Sequence, residues 1–229
     1  MQMRPSLWDY ARGRAAHRRH RRNTMVGRRR YAENIALCAE RLRDPELAQG
    51  AIVECGAWRG GMAAGLIDIA GPERTYLFFD VFEELPPAGE KDGAEAKAWQ
   101  AGASARDFRD NCRVSLEEFQ RTIAATRFDP AKMHVYKGLF ADTFPTVSPP
   151  PIAVLRLDGD WYASTMECLE KFWDHVLPGG LILIDDYYDW DGCARAVHDF
   201  LSRREATERI LQGPRAGVAA ILREKKKPS

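Results

Sequence analysis

The stretch Ile152–Trp190, IAVLRLDGDWYASTMECLEKFWDHVLPGGLILIDDYYDW, restricts the fold more than any other part of this chain. Ile152–Leu157 is a short run of mostly branched apolar residues with one Arg, and it ends in Asp158-Gly159-Asp160. Leu181–Ile184 is a second apolar run, reached through a Pro-Gly-Gly turn and ending in Asp185-Asp186. Between them Met166, Leu169, Phe172, Trp173 and Val176 recur at helical spacing. Strand, helix and strand of this size make a βαβ unit, whose strands lie parallel in one sheet. Parallel neighbours sit about 4.8 Å apart. Both acidic turns therefore leave the sheet side by side at its carboxyl edge, where open α/β sheets bind ligands. Carboxylates so close repel one another, and they need shared protons, a basic partner or a hard cation.

The upstream chain fits the same sheet. Ala51–Cys55 reads as the first strand and runs through Glu54-Cys55-Gly56-Ala57-Trp58-Arg59-Gly60-Gly61 into a helix over Met62–Ala70. Glycine at such a turn lets the backbone approach a ligand closely. The spacing is E-x-G-x-x-x-G rather than G-x-G-x-x-G, so no pyrophosphate cradle is spelled out, and a plain tight turn would read alike. Thr75–Phe79 is the second strand and ends at Asp80, about 20 residues on, where an acidic residue meets the ribose in βαβ nucleotide sites. An Asp capping the next turn fits equally. His134–Lys137 is the third strand, followed by Gly138-Leu139. Tyr31–Leu42, Val114–Ala125 and Cys193–Arg203 read as helices, and residues 88–110, with Trp99, as a mobile or helical insertion near the ligand mouth. Arg209–Gln212 and Gly217–Leu222 close the chain as an antiparallel strand pair. The fold class is α/β: a mostly parallel, doubly wound sheet with an antiparallel C-terminal strand.

Asp158, Asp185 and Asp186 offer only hard oxygen ligands, which favours Mg²⁺ or Ca²⁺ over zinc. Asp160, two positions from Asp158, shares its face if the chain stays extended, and could act as a base rather than a ligand. Paired Asp residues after strands also cap helices and turns.

Charge is unevenly placed. Residues 1–30 carry a balance of +9 within a chain of net charge +1, so the remainder is acidic. The Arg-rich segment 1–30 reads as a solvated, partly helical arm, as a patch for nucleic acid or an acidic partner, or as an ordered lid. No aromatic interleaving supports nucleic acid, and the acidic body opposes it. Residues 31–223 form the main domain, and 224–229 read as a disordered basic tail. No run approaches the ~18 apolar residues of a membrane span, and no signal-peptide pattern opens the chain. Five scattered cysteines without CxxC spacing fit a reduced, cytoplasmic protein.

Six stretches resemble the macrocin O-methyltransferase-like (TylF/MycF-type) sugar O-methyltransferases that use S-adenosylmethionine. They are TMVG at Thr24–Gly27, VECGAWRGG at Val53–Gly61, FDVFEELP at Phe79–Pro86, LRLDGDWYAST at Leu155–Thr165, PGGLILIDDY at Pro178–Tyr187, and the helix from Gly192. The resemblance implies a Rossmann-like class I methyltransferase fold. It implies that Thr24 and Met25 close over the cofactor and that Glu54, Gly56, Ala57 and Trp58 hold its methionine end. Asp80 would take the ribose hydroxyls, with Val81, Phe82, Gly138 and Leu139 around the adenosine. Asp158, Asp185 and Asp186 match Mg²⁺ ligands, and Asp160 matches a general base, so Asp158 and Asp160 are the catalytic pair. The family usually reads D-S-F-E-G after the second strand; Val81 and Glu84 depart from it here. The Arg-rich arm lies before the matching stretches.

The function expected is O-methylation of a sugar hydroxyl on a glycosylated natural product, dependent on S-adenosylmethionine and Mg²⁺, in a homo-oligomeric enzyme. Alternatives are a catechol-type enzyme acting on an aromatic vicinal diol, and an RNA-modifying or nucleic-acid-binding protein using the arm. Trp161, Tyr162, Tyr187, Tyr188 and Trp190 border the acidic turns, either as stacking surfaces for the acceptor or as ordinary packing.

Overall fold

In the computed structural model, which describes residues 3–102 and 109–224, the apolar runs pair into one sheet. Its strands are β1 (Ala51–Cys55), β2 (Tyr76–Asp80), β3 (Met133–Lys137), β4 (Ile152–Leu157), β5 (Val176–Ile184), β6 (Ile210–Gln212) and β7 (Ala219–Leu222). The order is β3-β2-β1-β4-β5-β7-β6. β1 to β5 are parallel, while β7 runs antiparallel to both β5 and β6. The strand order reverses between β1 and β4, the switch point at which such sheets open a crevice.

The sheet is covered on both faces, as parallel strands require. The helices are α1 (Leu7–His20), α2 (Arg28–Arg41), α3 (Gly61–Ala70), α4 (Gly93–Gln100), α5 (Leu116–Ile123), α6 (Phe140–Thr143), α7 (Tyr162–Phe172) and α8 (Asp191–Arg203). Ile52, Phe78, Val154 and Leu183 pack with residues of α2, α3 and α5 on one face. Val53, Phe79, Leu155 and Ile182 pack with residues of α7 and α8 on the other. That alternation is the period-two signature of a strand. The Pro-Gly-Gly segment does not precede β5 but lies within it. Val176 pairs with Ile152 and Leu181 with Val154, so Leu177–Gly180 bulges out of register.

The Arg-rich segment belongs to the helical layer rather than to a solvated arm. Ser6 and Asp9 form a capping box at the start of α1. Tyr10, Gly13, Ala16 and His20 then make a buried stripe. Gly13 is needed there, because a Cβ would meet the Ala32 carbonyl of α2 at 2.6 Å. Below the stripe, His20 Nε2 lies 2.9 Å from Asp68 Oδ2 on α3. The basic tail expected at 224–229 lies, from residue 225 on, outside the described residues. Among those residues no helix is long and apolar enough to cross a membrane.

Candidate active site

The turns after β1, β2, β3, β4 and β5 open into one cavity of about 1260 Å³ at the carboxyl edge. Its two halves differ in construction.

On the β1–β2 side, Gly56 adopts φ +91°, and a Cβ there would fall 1.8 Å from the Asp158 carbonyl. Only glycine lets the turns after β1 and β4 approach so closely. Trp58 and Phe82 both adopt positive φ, a strain on the order of 1–3 kcal/mol each that surrounding contacts must hold. Asp80 supplies those contacts: Trp58 N donates to its Oδ2 and Phe82 N to its Oδ1, each at 2.7 Å. Burial raises the Asp80 pKa while these N–H groups oppose the rise. Asp80 therefore caps its turn, as one of the two sequence readings had it, and also lines the cavity. Gly56, Ala57 and Trp58 line this half, as do Val81, Gly138 and Leu139. Phe82 does not. Its ring is 2% exposed and packs 5.2 Å from Phe119, so the expectation that it flanks the adenosine fails at the side chain. Thr24 and Met25 reach in from the segment before α2, which Gly61 N anchors by donating to Asn23 O at 2.9 Å.

On the β4–β5 side the organising residue is Arg156, the one Arg of the apolar run. It is fully buried. Its Nη1 donates to Glu54 Oε1 and to Asp158 Oδ2, both at 2.7 Å, and its Nη2 lies 3.1 Å from Asp185 Oδ1. Arg30 of α2 pairs with Asp189 and stands 3.9 Å from Asp185. Asn34 Nδ2 donates to Asp185 Oδ1 at 3.3 Å. Asp160, at φ +60°, donates its backbone N–H to Asp186 Oδ2 at 2.9 Å and accepts from Trp190 Nε1 at 2.9 Å. A basic partner, one of the three neutralisers left open by the sequence, is thus present, but the cluster of six carboxylates (Glu54, Asp158, Asp160, Asp185, Asp186 and Asp189) holds only two guanidinium groups, which pair with four of them. The surplus pushes the carboxylate pKa values up. Burial raises Glu54 to about 8, and Arg156 offsets only part of the rise. Burial and Asp158 lift Asp160 to about 8. Burial lifts Asp158 to about 6 against the pull of Arg156, and burial with Asp160 and Asp158 drives Asp186 upward.

Asp158, Asp185 and Asp186 each turn one carboxylate oxygen to a common point, all within 4.8 Å of one another. An all-oxygen, acidic set fits a hard cation such as Mg²⁺. Glu54 was expected to hold the cofactor's methionine end. It lines the cavity from full burial with one oxygen on Arg156, and its Oε2 has no partner. The aromatic residues divide. Trp99, Trp161 and Trp190 form a wall, with centroids 5.2 to 6.1 Å apart. Tyr162 instead bonds Asp199, and Tyr187 bonds His198.

Residues 3–219 match the family described as macrocin O-methyltransferase (TylF). The chain belongs to the macrocin O-methyltransferase family. The match begins at residue 3, so the Arg-rich segment lies inside the family pattern, contrary to the sequence expectation. Two relatives are each 32% identical and matched over 86% of this chain. One is the 8-demethyl-8-(2,3-dimethoxy-alpha-L-rhamnosyl)-tetracenomycin-C 4'-O-methyltransferase of Streptomyces olivaceus, over 74% of its length. The other is the mycinamicin III 3''-O-methyltransferase of Micromonospora griseorubida, over 77%. The solved O-methyltransferase NovP superposes with a TM-score of 0.73 at 29% identity, over 89% of this chain and 83% of that one. Calicheamicin methyltransferase CalS11 shares the fold, with a TM-score of 0.60 at 16% identity over 97% of this chain and 96% of its own. This member of the family is an S-adenosylmethionine-dependent O-methyltransferase of class I fold.

Sequence reasoning passed over Arg156, Asn34, Arg30 and the Trp190–Asp160 bond. One signal was present: an arginine inside a central strand buried on both faces has to be paired.

Proposed function

We propose that this enzyme methylates a sugar hydroxyl of a glycosylated small molecule, with Mg²⁺ held by Asp158, Asp185 and Asp186. The observation carrying this reading is the convergence of those three carboxylates in the same cavity as the Gly56–Asp80 cradle. Relatives named for methylation of sugars on antibiotic scaffolds support it.

Bound S-adenosylmethionine supplies a methyl group on a sulfonium leaving group. Bound Mg²⁺ supplies a positive charge that lowers the pKa of two vicinal hydroxyls. The remaining work falls to the chain. Glu54, Gly56, Ala57 and Trp58 hold the methionine end, while Asp80, Val81, Gly138 and Leu139 hold the adenosine. Thr24 and Met25 close over it. Trp161 and Trp190 present one face of the cavity to the acceptor, which fixes orientation and excludes water. Asp160 takes the hydroxyl proton; a positioned base contributes roughly 10²–10⁴-fold. Its raised pKa and the Trp190 N–H on Oδ1 suit that role. By the family resemblance the enzyme is a homo-oligomer, and its five free cysteines fit the cytoplasm.

Methyl transfer to a panel of neutral deoxysugar glycosides and of catechols, with Mg²⁺ or with EDTA, tests the reading. Turnover of glycosides, abolished by EDTA and reduced about 10²-fold in Asp160→Asn, is expected. Turnover of catechols alone overturns the acceptor, and full activity in EDTA overturns the metal.

A further inference from the structure

The tip of the C-terminal hairpin is held to the helical layer more tightly than a hairpin requires. β6 ends at Gln212 and β7 begins at Ala219, and these two residues pair. Gly213 N donates to Val218 O at 2.7 Å and closes the turn. The free N–H groups of such a turn can be satisfied by water alone. Here three of them turn to Glu33 of α2, which is fully buried. Arg215 N donates to Glu33 Oε1 at 2.6 Å, while Ala216 N and Val218 N donate to Oε2 at 2.8 and 3.2 Å. The Tyr10 hydroxyl of α1 donates to Oε1 at 3.3 Å. Burial and Glu33 push that hydroxyl up to about 12, so it remains a donor. The Arg215 guanidinium lies 4.0 Å above the Tyr10 ring and clamps the same turn from outside. Gly213 is required at the contact, because a Cβ would fall 2.5 Å from Glu33 Oε2. Among the described residues no cation pairs with Glu33. A buried carboxylate without one is costly unless N–H groups answer it. The backbone of the turn does so, and its shape is fixed in return.

This turn stands beside the acidic half of the cavity and away from the cofactor half. Ile184, the residue before Asp185, pairs with Ala219, which pairs with Gln212. Two strand spacings put Gln212 about 10 Å from Ile184, and four put β6 roughly 19 Å from β1. Gln212, Arg215, Ala216 and Gly217 all line the cavity. The Gln212 side chain lies over Gly217, where a Cβ would come within 3.1 Å of its Nε2. Among the described residues nothing donates to this side-chain amide or accepts from it. An amide offers two donors and an acceptor and carries no charge, which matches a neutral hydroxyl. The gap between Gln212 and the end of β5 holds one sugar ring, with its reacting hydroxyls at Asp185 and Asp186 and another hydroxyl at the amide.

We propose that the β6–β7 turn is a specificity wall for the acceptor: Gln212 bonds a sugar hydroxyl outside the reacting pair, and Glu33 is the positioning residue that holds the turn in place. This rests on the sugar O-methylation proposed above and adds how a sugar is told from other vicinal diols. It also gives the Arg-rich α1 a task, since Tyr10 completes the shell around Glu33.

Steady-state kinetics with p-nitrophenyl α-L-rhamnoside, a neutral deoxysugar glycoside with a further hydroxyl beside its vicinal pair, test the proposal. Gln212→Ala should raise KM for the rhamnoside about fivefold, the worth of a neutral hydrogen bond. Its kcat and its calorimetric affinity for S-adenosylhomocysteine should match the parent. Gln212 is exposed, so this variant keeps its fold. Glu33→Gln sets an NH2 against the N–H groups of the turn. It should speed amide exchange at Arg215, Ala216 and Val218 and raise the same KM, with Mg²⁺ and S-adenosylhomocysteine affinities unchanged. A parent-like KM in Gln212→Ala overturns the proposal. A parallel loss of kcat or of S-adenosylhomocysteine affinity overturns it too, by making the hairpin a support of the whole site. Faster exchange without a higher KM in Glu33→Gln overturns the positioning role. No methylation of the rhamnoside by the parent overturns sugar O-methylation and takes this inference with it. Equal rhamnoside kinetics in parent and Gln212→Ala remove this inference alone.

Discussion

On the β1–β2 side of the cavity one carboxylate, Asp80, accepts two backbone N–H groups and leaves little charge unanswered. On the β4–β5 side four carboxylates, Glu54, Asp158, Asp185 and Asp189, surround Arg156 and Arg30, with Asp160 and Asp186 bonded to each other beside them. Both halves sit on strand ends of one sheet, and both use aspartate. The difference lies in what completes them. Backbone geometry completes the first, so its aspartate shapes a turn before any ligand arrives. The second remains short of positive charge, and burial and mutual repulsion raise the pKa values of its carboxylates; in the proposed function a cation takes the place of their protons. Glu54 joins the two, with one oxygen on Arg156 and the other unpartnered in the cavity wall.

The largest effect should come from removing the shared counter-charge. Arg156→Met leaves Glu54, Asp158 and Asp185 facing one another in a buried site, and urea unfolding at pH 8 should register a loss of about 3–5 kcal/mol. The loss should shrink toward pH 5. Carboxylates with raised folded pKa values stabilise the fold below their unfolded values and lose that contribution as pH climbs through about 6 for Asp158 and about 8 for Glu54. A variant as stable as the parent at pH 8 would erase the contrast between the halves.

Next in size is the response to metal. Without a cation, stability contributed by the protonated cluster falls between pH 5 and pH 9 by the same sign argument. Mg²⁺ should therefore raise the melting temperature more at pH 8.5 than at pH 6; at a hundredfold excess over Kd the gain approaches about 2.7 kcal/mol. Equal shifts at both pH values would mean that the cation does not displace these protons.

On the other side, Asp80→Asn keeps an acceptor for only one of the two backbone N–H groups and turns its NH2 on the other. Unfolding should detect about 2 kcal/mol, while calorimetry finds weaker S-adenosylhomocysteine binding and unchanged Mg²⁺ affinity. A matching fall in Mg²⁺ affinity would show the halves to be one unit. The smallest effect concerns Trp190→Phe, which removes the N–H on Asp160. Losing a donor to the charged form raises a carboxylate pKa, so the acid limb of the kcat profile should move up by about half a unit. A shift downward, or none, would detach Asp160 from proton transfer.

Much of this was legible in the chain. Branched apolar runs ending in DGD and DD marked the βαβ unit, and Gly56 marked a tight turn, because both signals are local. What escaped depends on distant partners. Arg156 looked like an interruption of a strand until Glu54 from β1 and Asp185 from β5 arrived beside it. Phe82 was expected at the adenosine, but Asp80 binds its backbone N–H and the resulting positive-φ turn sends the ring into the core against Phe119. In α1 the arginines hid a stripe of Tyr10, Gly13, Ala16 and His20, whose meaning depends on the face α2 offers.

The proposed role of the β4–β5 half depends on its binding a cation. Calorimetric titration of Mg²⁺ into the S-adenosylhomocysteine complex at pH 7.5, in two buffers of different ionisation heat, measures binding and proton release together. The account predicts one saturable site whose heat depends on the buffer, because protons leave the cluster, and loss of that site in Asp186→Asn. No saturable binding at millimolar Mg²⁺, or binding that Asp186→Asn leaves intact, would contradict it.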